Sequence, residues 1–145
     1  MESKVNCTRR LTFCSGHRVM GHENKCANLH GHNYTIYLTA CADSNDLDGI
    51  GRVIDFSVLK SKFNGWLENN WDHGFVLFSG DAEAIKAVTH IQTQKLYLMP
   101  TNPTAENMAR YILDKIGPAL LDGTGVSLTK VIIEETENCS AEATK

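Results

Sequence analysis

The chain has 145 residues, 42% of them apolar and 21% charged, with a formal net charge of -3. That length buries one ordinary core without disulfide staples, while no basic stripe suggests nucleic acid and no run of like charges suggests a partner-binding tail. No stretch is long and apolar enough to span a membrane, and the segment from Met1 to Asn6 lacks the apolar core of a signal peptide, so a cytoplasmic protein is expected.

No repeat, low-complexity block or linker interrupts the chain, so residues 1–145 read as a single domain. A first strand is predicted over roughly Val5 to Phe13, because Val5, Cys7, Leu11 and Phe13 share one parity. A loop rich in Gly, Asn and His follows from Ser15 to Leu29, then a second strand from about His30 to Ala42. In that strand Tyr34, Ile36 and Leu38 share a face with His30 and His32. Asp43 to Gly51 is a turn. A helix is expected to start at Asp55, with Phe56, Leu59, Phe63, Trp66 and Leu67 forming its apolar stripe. A short strand over His73–Phe78, a short helix over Asp81–Val88 and a strand over Gln94–Met99 come next. The second long helix takes Asn102 as N-cap and Pro103 as its first residue, and buries Met108, Ile112, Ile116 and Leu120. A last strand covers about Gly125 to Thr136, and the polar tail after Cys139 is expected to fray. Strands and helices do not alternate regularly, which argues for an α+β fold with helices on one face of an antiparallel sheet.

The strongest chemical signal is Leu29-His30-Gly31-His32-Asn33-Tyr34. Residues two apart on a strand point the same way, so His30 and His32 present two imidazoles on one face, half of a tetrahedral zinc site. His17, which the neighbouring strand can bring alongside, is the candidate third ligand. Three protein ligands leave one position open, as in catalytic rather than structural zinc. His22 is a rival ligand in the loop, and His90 reads as a surface or core histidine.

The five cysteines, Cys7, Cys14, Cys26, Cys41 and Cys139, contain no Cys-x-x-Cys pair and suit a reducing compartment. Cys26 lies four residues before His30. It is either a fourth ligand that closes the site or a thiolate beside the metal. Cys7 and Cys41, inside strands, read as buried free thiols. Asp72-His73 is a candidate relay pair, although such a dipeptide is usually a helix-end turn. Glu135 shares parity with Val131 and Ile133, where a carboxylate needs a partner; the alternative is that Glu134 faces inward. Glu106 stands in the first turn of the second helix, where its charge also suits the helix dipole.

In order along the chain, Phe13-Cys14-Ser15-Gly16-His17, Lys25-Cys26-Ala27-Asn28-Leu29-His30-Gly31-His32-Asn33-Tyr34, Val53-Ile54-Asp55-Phe56, Trp71-Asp72-His73, Pro103-Thr104-Ala105-Glu106-Asn107 and Glu135-Thr136 resemble the 6-pyruvoyl- and 6-carboxytetrahydropterin synthase family. The resemblance implies the tunnelling fold, a four-stranded antiparallel sheet with two helices on one face. It implies assembly into an oligomeric barrel, usually two stacked trimers, with active sites at subunit interfaces. It also implies roles: His17, His30 and His32 as zinc ligands, Cys26 as catalytic base with Asp72 and His73 as relay, Glu135 as pterin anchor, and Thr104 and Glu106 near the pterin pocket. The implied substrate is dihydroneopterin triphosphate. The Cys-x-x-x-His-Gly-His spacing resembles the bacterial carboxy-forming branch of queuosine synthesis, which releases acetaldehyde and triphosphate; a pyruvoyl-forming enzyme and a non-catalytic zinc or pterin module are the alternatives. Cys14, Trp71 and the long stretch from Ser79 to Met99 depart from the family pattern.

Overall fold

The computed structural model describes residues 2–145 and is built around one six-stranded sheet, in the order β4-β3-β1-β2-β5-β6. The strands are β1 (Asn6–His17), β2 (His30–Ala42), β3 (Gly74–Phe78), β4 (Leu96–Met99), β5 (Val126–Thr136) and β6 (Cys139–Thr144). The helices are α1 (Phe56–Asn70), α2 (Ala82–Thr89) and α3 (Ala105–Tyr111); α3 runs on through a π turn (Ile112–Ile116) into α4 (Gly117–Leu120).

The expected four-stranded antiparallel sheet is corrected to a six-stranded mixed one. Strands β1, β2, β5 and β6 pair antiparallel, whereas β3 joins β1, and β4 joins β3, in parallel. Parallel neighbours need a crossover: α1 lies in the connection before β3, and α2 carries the chain from β3 to β4. The tail expected to fray is strand β6, paired with β5 from Lys130↔Thr144 to Thr136↔Cys139. Its only apolar signal is Ala141 and Ala143, which pack against the core.

Alternation decides which face is buried. Leu11, Phe13, Ser15 and His17 of β1 share the covered face with Tyr34, Ile36 and Leu38 of β2 and Val131 and Ile133 of β5. Leu59, Phe63 and Leu67 of α1 and Met108, Ala109, Ile112 and Leu113 of the α3 segment complete that core. Each large aliphatic or aromatic side chain among them contributes roughly 1.5–3 kcal/mol by burial. Phe56, read as part of the α1 stripe, is exposed, because the first residue of the helix precedes its contact with the sheet. The Asp55 carboxylate caps α1 by accepting from the Ser57 N–H at 2.9 Å. The cap of the second long helix moves from Asn102 to Thr104, whose hydroxyl accepts from Asn107 N–H at 3.1 Å. Asn102 instead pairs its side-chain amide with the backbone of Met20, at 3.0 Å in both directions. Trp71, completely buried at the end of α1, packs on Phe13, Trp66, Tyr97 and Tyr111.

Among the described residues, no helix is long and apolar enough to cross a membrane. All five cysteines are free; Cys7 and Cys41 are half-buried rather than buried, and Cys14 and Cys139 are exposed. Burial pushes the Cys7 thiol up.

Candidate metal centre

Strand β1 runs four residues further than predicted, as far as His17, and this extension builds the site. The register places His17 opposite His30 and Ser15 opposite His32. All three histidines lie on the core side of the β1–β2 ladder, beyond the last apolar pair, Phe13 and Tyr34, which stack at 4.9 Å. The imidazole centroids stand 4.6 Å (His17–His30), 5.1 Å (His17–His32) and 5.0 Å (His30–His32) apart.

The orientation of two rings is set from behind. His17 Nδ1 donates to the Pro103 carbonyl at 2.7 Å, and His30 Nδ1 donates to the Asn28 carbonyl at 2.7 Å. A carbonyl can only accept, so both rings carry their proton on Nδ1 and turn an Nε2 lone pair forward. Those two Nε2 atoms face each other at 3.1 Å, and the Nε2 of His32 is buried without any hydrogen-bond partner. Unpartnered lone pairs in contact are unfavourable unless a cation lies between them. One ligand atom from each of the three histidines falls within 4.8 Å of the others, so the group can hold a metal ion. Tetrahedral ligands at Zn–N distances of about 2.0–2.1 Å lie about 3.4 Å from one another, close to the His17–His30 separation. Backbone carbonyls behind ligand imidazoles are the usual outer support of such sites.

Burial, opposed by the Pro103 bond and reinforced by His30 and His32, lowers His17 to about 4. His32 is also lowered by burial, against the attraction of Glu135. Both rings are therefore neutral near pH 7, the form a metal requires.

Glu135 is the inward-facing member of its pair, continuing the Val131–Ile133 face of β5. Its carboxylate lies 3.9 Å from the Nε2 atoms of both His17 and His32. Behind it Tyr34 is completely buried, and its hydroxyl has no partner. Burial and the Glu135 charge push that hydroxyl far above the ordinary tyrosine range.

Cys26 sits half-buried in a single 3₁₀ turn (Lys25–Ala27) and is not part of the metal-ligating group. Its carbonyl accepts from Val19 N–H at 2.8 Å, which folds the loop back onto the end of β1. Asp72 and His73 form a pair just before β3, against Cys14 of β1. Asp72 accepts from Cys14 N–H at 2.8 Å and pairs with His73 Nδ1 at 2.9 Å. Burial opposes ionisation of Asp72, but the Cys14 N–H, His73 and Lys95 together hold its carboxyl below the ordinary range. Among the described residues, no hydrogen bond joins Cys26 to this pair. His73, with 79% of its side chain exposed, lines an open recess of about 570 Å³ with Cys14, Asn33, Gln94, His30 and His32.

Thr104 is occupied as the α3 cap, and Glu106 is exposed in the first turn of that helix. Their link to the histidines is Pro103, whose carbonyl holds His17. His22 uses Nδ1 to accept from Asn24 N–H at 3.0 Å, and His90 ends α2 on the surface. Arg18 is committed to Asp81 through two bonds of 2.6 Å, which leaves Lys25 as the exposed cation beside the motif. The carbonyl supports at Asn28 and Pro103 left no signal in the sequence, since any residue supplies a carbonyl. Tyr34 was legible as core, but its unpartnered hydroxyl was not.

The fold and the geometry bring together a three-imidazole group that can hold a metal ion, with a carboxylate beside it. The model of the 6-pyruvoyl tetrahydropterin synthase family matches residues 6–145. Relatives named 6-carboxy-5,6,7,8-tetrahydropterin synthase include one from Rickettsia typhi, 41% identical over 138 residues, and one from Rickettsia bellii, 39% identical over 138 residues. Each alignment covers 95% of this chain and 99% of the relative. The 6-pyruvoyl tetrahydropterin synthase of Caenorhabditis elegans superposes with a TM-score of 0.68 at 25% identity, covering 97% of this chain and 95% of that one. An uncharacterized protein from Wolinella succinogenes shares the fold, with a TM-score of 0.79 at 19% identity over 97% and 98% of the two chains. The chain belongs to the 6-pyruvoyl tetrahydropterin synthase family of enzymes.

Proposed function

We propose that the protein converts 7,8-dihydroneopterin triphosphate and one water to 6-carboxy-5,6,7,8-tetrahydropterin, acetaldehyde and triphosphate, with zinc at the three histidines. The observation that carries this reading is the convergence of three imidazole nitrogens beside Glu135. The carboxy product is favoured by the names of the relatives at 39–41% identity.

Bound zinc supplies Lewis acidity at oxygens of the substrate side chain, which makes the adjacent C–H and O–H protons easier to remove. Every other part belongs to the chain. Glu135 accepts the neighbouring N–H groups of the pterin ring in a bidentate manner and holds its side chain toward the histidines. Cys26, as thiolate, takes the proton, which is typically worth about 10²–10⁴-fold in rate. Asp72 fixes the Nδ1 proton of His73, and His73 moves the proton onward. Because the pair and Cys26 are not bonded within one chain, and His73 is exposed, the relay that serves each Cys26 comes from an adjoining subunit. The unpaired outer edges of β4 and β6 in this sheet favour edge-to-edge closure into a barrel, as two stacked trimers. Thr104 and Glu106, beyond Pro103, border the pterin. A protein of this kind needs no membrane and no nucleic acid, and acts in the cytoplasm on a soluble metabolite.

The test is direct. Zinc-loaded protein incubated with dihydroneopterin triphosphate should release acetaldehyde and triphosphate in equal amounts. Triphosphate without acetaldehyde would assign the pyruvoyl product instead. No release of either would leave the non-catalytic module.

A further inference from the structure

Strand β4 belongs to the long Ser79–Met99 stretch, which no step above uses. The residue just before it, Lys95, reaches back across the sheet edge. Its Nζ donates to the Asp72 carbonyl at 2.5 Å and to the carbonyl of Glu68 in the last turn of α1. Terminal helix carbonyls lack partners within the helix and favour a cation. Lys95 therefore ties the end of α1 to the Asp72–His73 turn. Its own main chain is anchored: the Lys95 carbonyl accepts from Phe75 N–H at 3.0 Å and from the Gln94 side chain at 2.9 Å. Gly74 makes room for the crossing, because a Cβ there would lie 2.9 Å from Lys95 Cγ and 3.0 Å from the Lys95 carbonyl oxygen.

The turn so held is a demanding one. His73 has φ +59, a left-handed conformation that residues other than glycine seldom adopt, and its N–H donates to the Cys14 carbonyl at 2.6 Å. Such backbone persists only where its surroundings over-determine it, and it clusters at functional sites. Cys14 pins the turn from the β1 side through both its N–H and its carbonyl. From the α1 side the Asp72 N–H donates to the Leu67 carbonyl at 2.7 Å, and Lys95 adds the one side chain that bonds both the helix end and the turn.

We propose that Lys95 is a positioning residue, whose ammonium group holds the Asp72–His73 turn so that the His73 imidazole projects into the recess. The proposal rests on the relay role given above to that pair. It assigns the lengthened Ser79–Met99 stretch a task, which is to return a cation from β4 to the turn between α1 and β3.

The experiment compares full-length, zinc-loaded wild type with Lys95→Met, which keeps the stem, and Lys95→Arg, which keeps the charge. Melting temperature, zinc content and oligomer mass are recorded first. Hydrogen exchange of the 71–76 amides then reports the turn without reference to activity. Lys95→Met is expected to exchange faster at 71–76 and to lose about tenfold or more in kcat, since misplacing a reacting group by about 1 Å can cost 10²-fold. KM should stay within about twofold and zinc content should be unchanged. Lys95→Arg should recover most of both losses. Unchanged exchange at 71–76 in Lys95→Met overturns the proposal whatever the activity, and so does faster exchange with wild-type kcat. If Lys95→Met does not fold, Lys95→Arg decides: retained kcat with a protected turn supports the proposal, and lowered kcat with a protected turn overturns it. Wild type inert toward dihydroneopterin triphosphate would refute the proposed reaction, and the exchange comparison alone would then decide whether Lys95 holds the turn.

Discussion

At the scale of single residues, the three histidines differ in how firmly they are held. His17 is buried and tied to Pro103, His30 is tied to Asn28, and His32 Nε2 has no hydrogen-bond partner, only the Glu135 carboxylate at 3.9 Å. A ring fixed from behind contributes its orientation before any metal arrives. His30→Ala is therefore expected to lower zinc occupancy measured on the purified protein by at least tenfold at limiting metal, while the far-ultraviolet spectrum stays unchanged. Occupancy equal to wild type would remove His30 from the ligand set. Cys26, outside the imidazole group, gives the complementary result. Cys26→Ala should keep its zinc and lose about 10²–10⁴-fold in kcat; parallel loss of zinc would make the thiol a ligand. The His-x-His pair was legible in the sequence because strand periodicity alone puts both rings on one face. The Nε2 direction of His17 and His30 was not, because it depends on carbonyls from Pro103 and Asn28.

At the scale of elements, α2 packs on β3 through Ala84 and Val88 against Leu77, and its N-terminus is fixed by a buried ion pair. Asp81 is 1% exposed, caps the helix through Ala84 N–H at 3.2 Å and takes both bonds from Arg18, the residue after His17. Breaking a buried pair by removing one partner costs about 3–5 kcal/mol, so Asp81→Asn should lower stability by about 3 kcal/mol in urea melts. The bond to Arg18 holds the Asp81 carboxyl below its ordinary value, despite burial. The unfolded chain then binds the proton more readily than the native one. The Asp81 contribution is thus complete above the ordinary carboxylate range, near pH 3.9, and is lost as pH falls through the depressed value. Melts recorded against pH should show that acid loss in wild type and its reduction in Asp81→Asn. At the start of α3, Thr104→Ala removes a cap and should cost about 1 kcal/mol; a fall in kcat/KM greater than this loss of stability explains would place Thr104 against the substrate as well. Both short elements around α2 were legible from turn residues and spacing. Their parallel pairing, β1 to β3 and β3 to β4, was not, because a strand's alternation carries no direction.

At the scale of the whole molecule, the sheet is asymmetric. One face is covered by α1 and the α3 segment, while Arg10, Thr12, Cys14 and Asn33 of the other are exposed, and the sheet ends in two short strands with open edges. A mass in solution near six times the 16.1 kDa chain is expected, measured by light scattering; a monomer with full activity would contradict a relay supplied by an adjoining subunit. The sequence by itself determined the α+β class, the β2 strand from His30 to Ala42, the start of α1 at Asp55 and the histidines that can meet. Those properties follow from periodicity, capping chemistry and residue type, all of which are local. Only the tertiary structure decided that β1 continues to His17, that the polar tail is strand β6, and that Cys14 and Lys95 hold the Asp72–His73 turn. Each of these is a contact between residues far apart in the chain, settled by which backbone groups need partners once the core has closed.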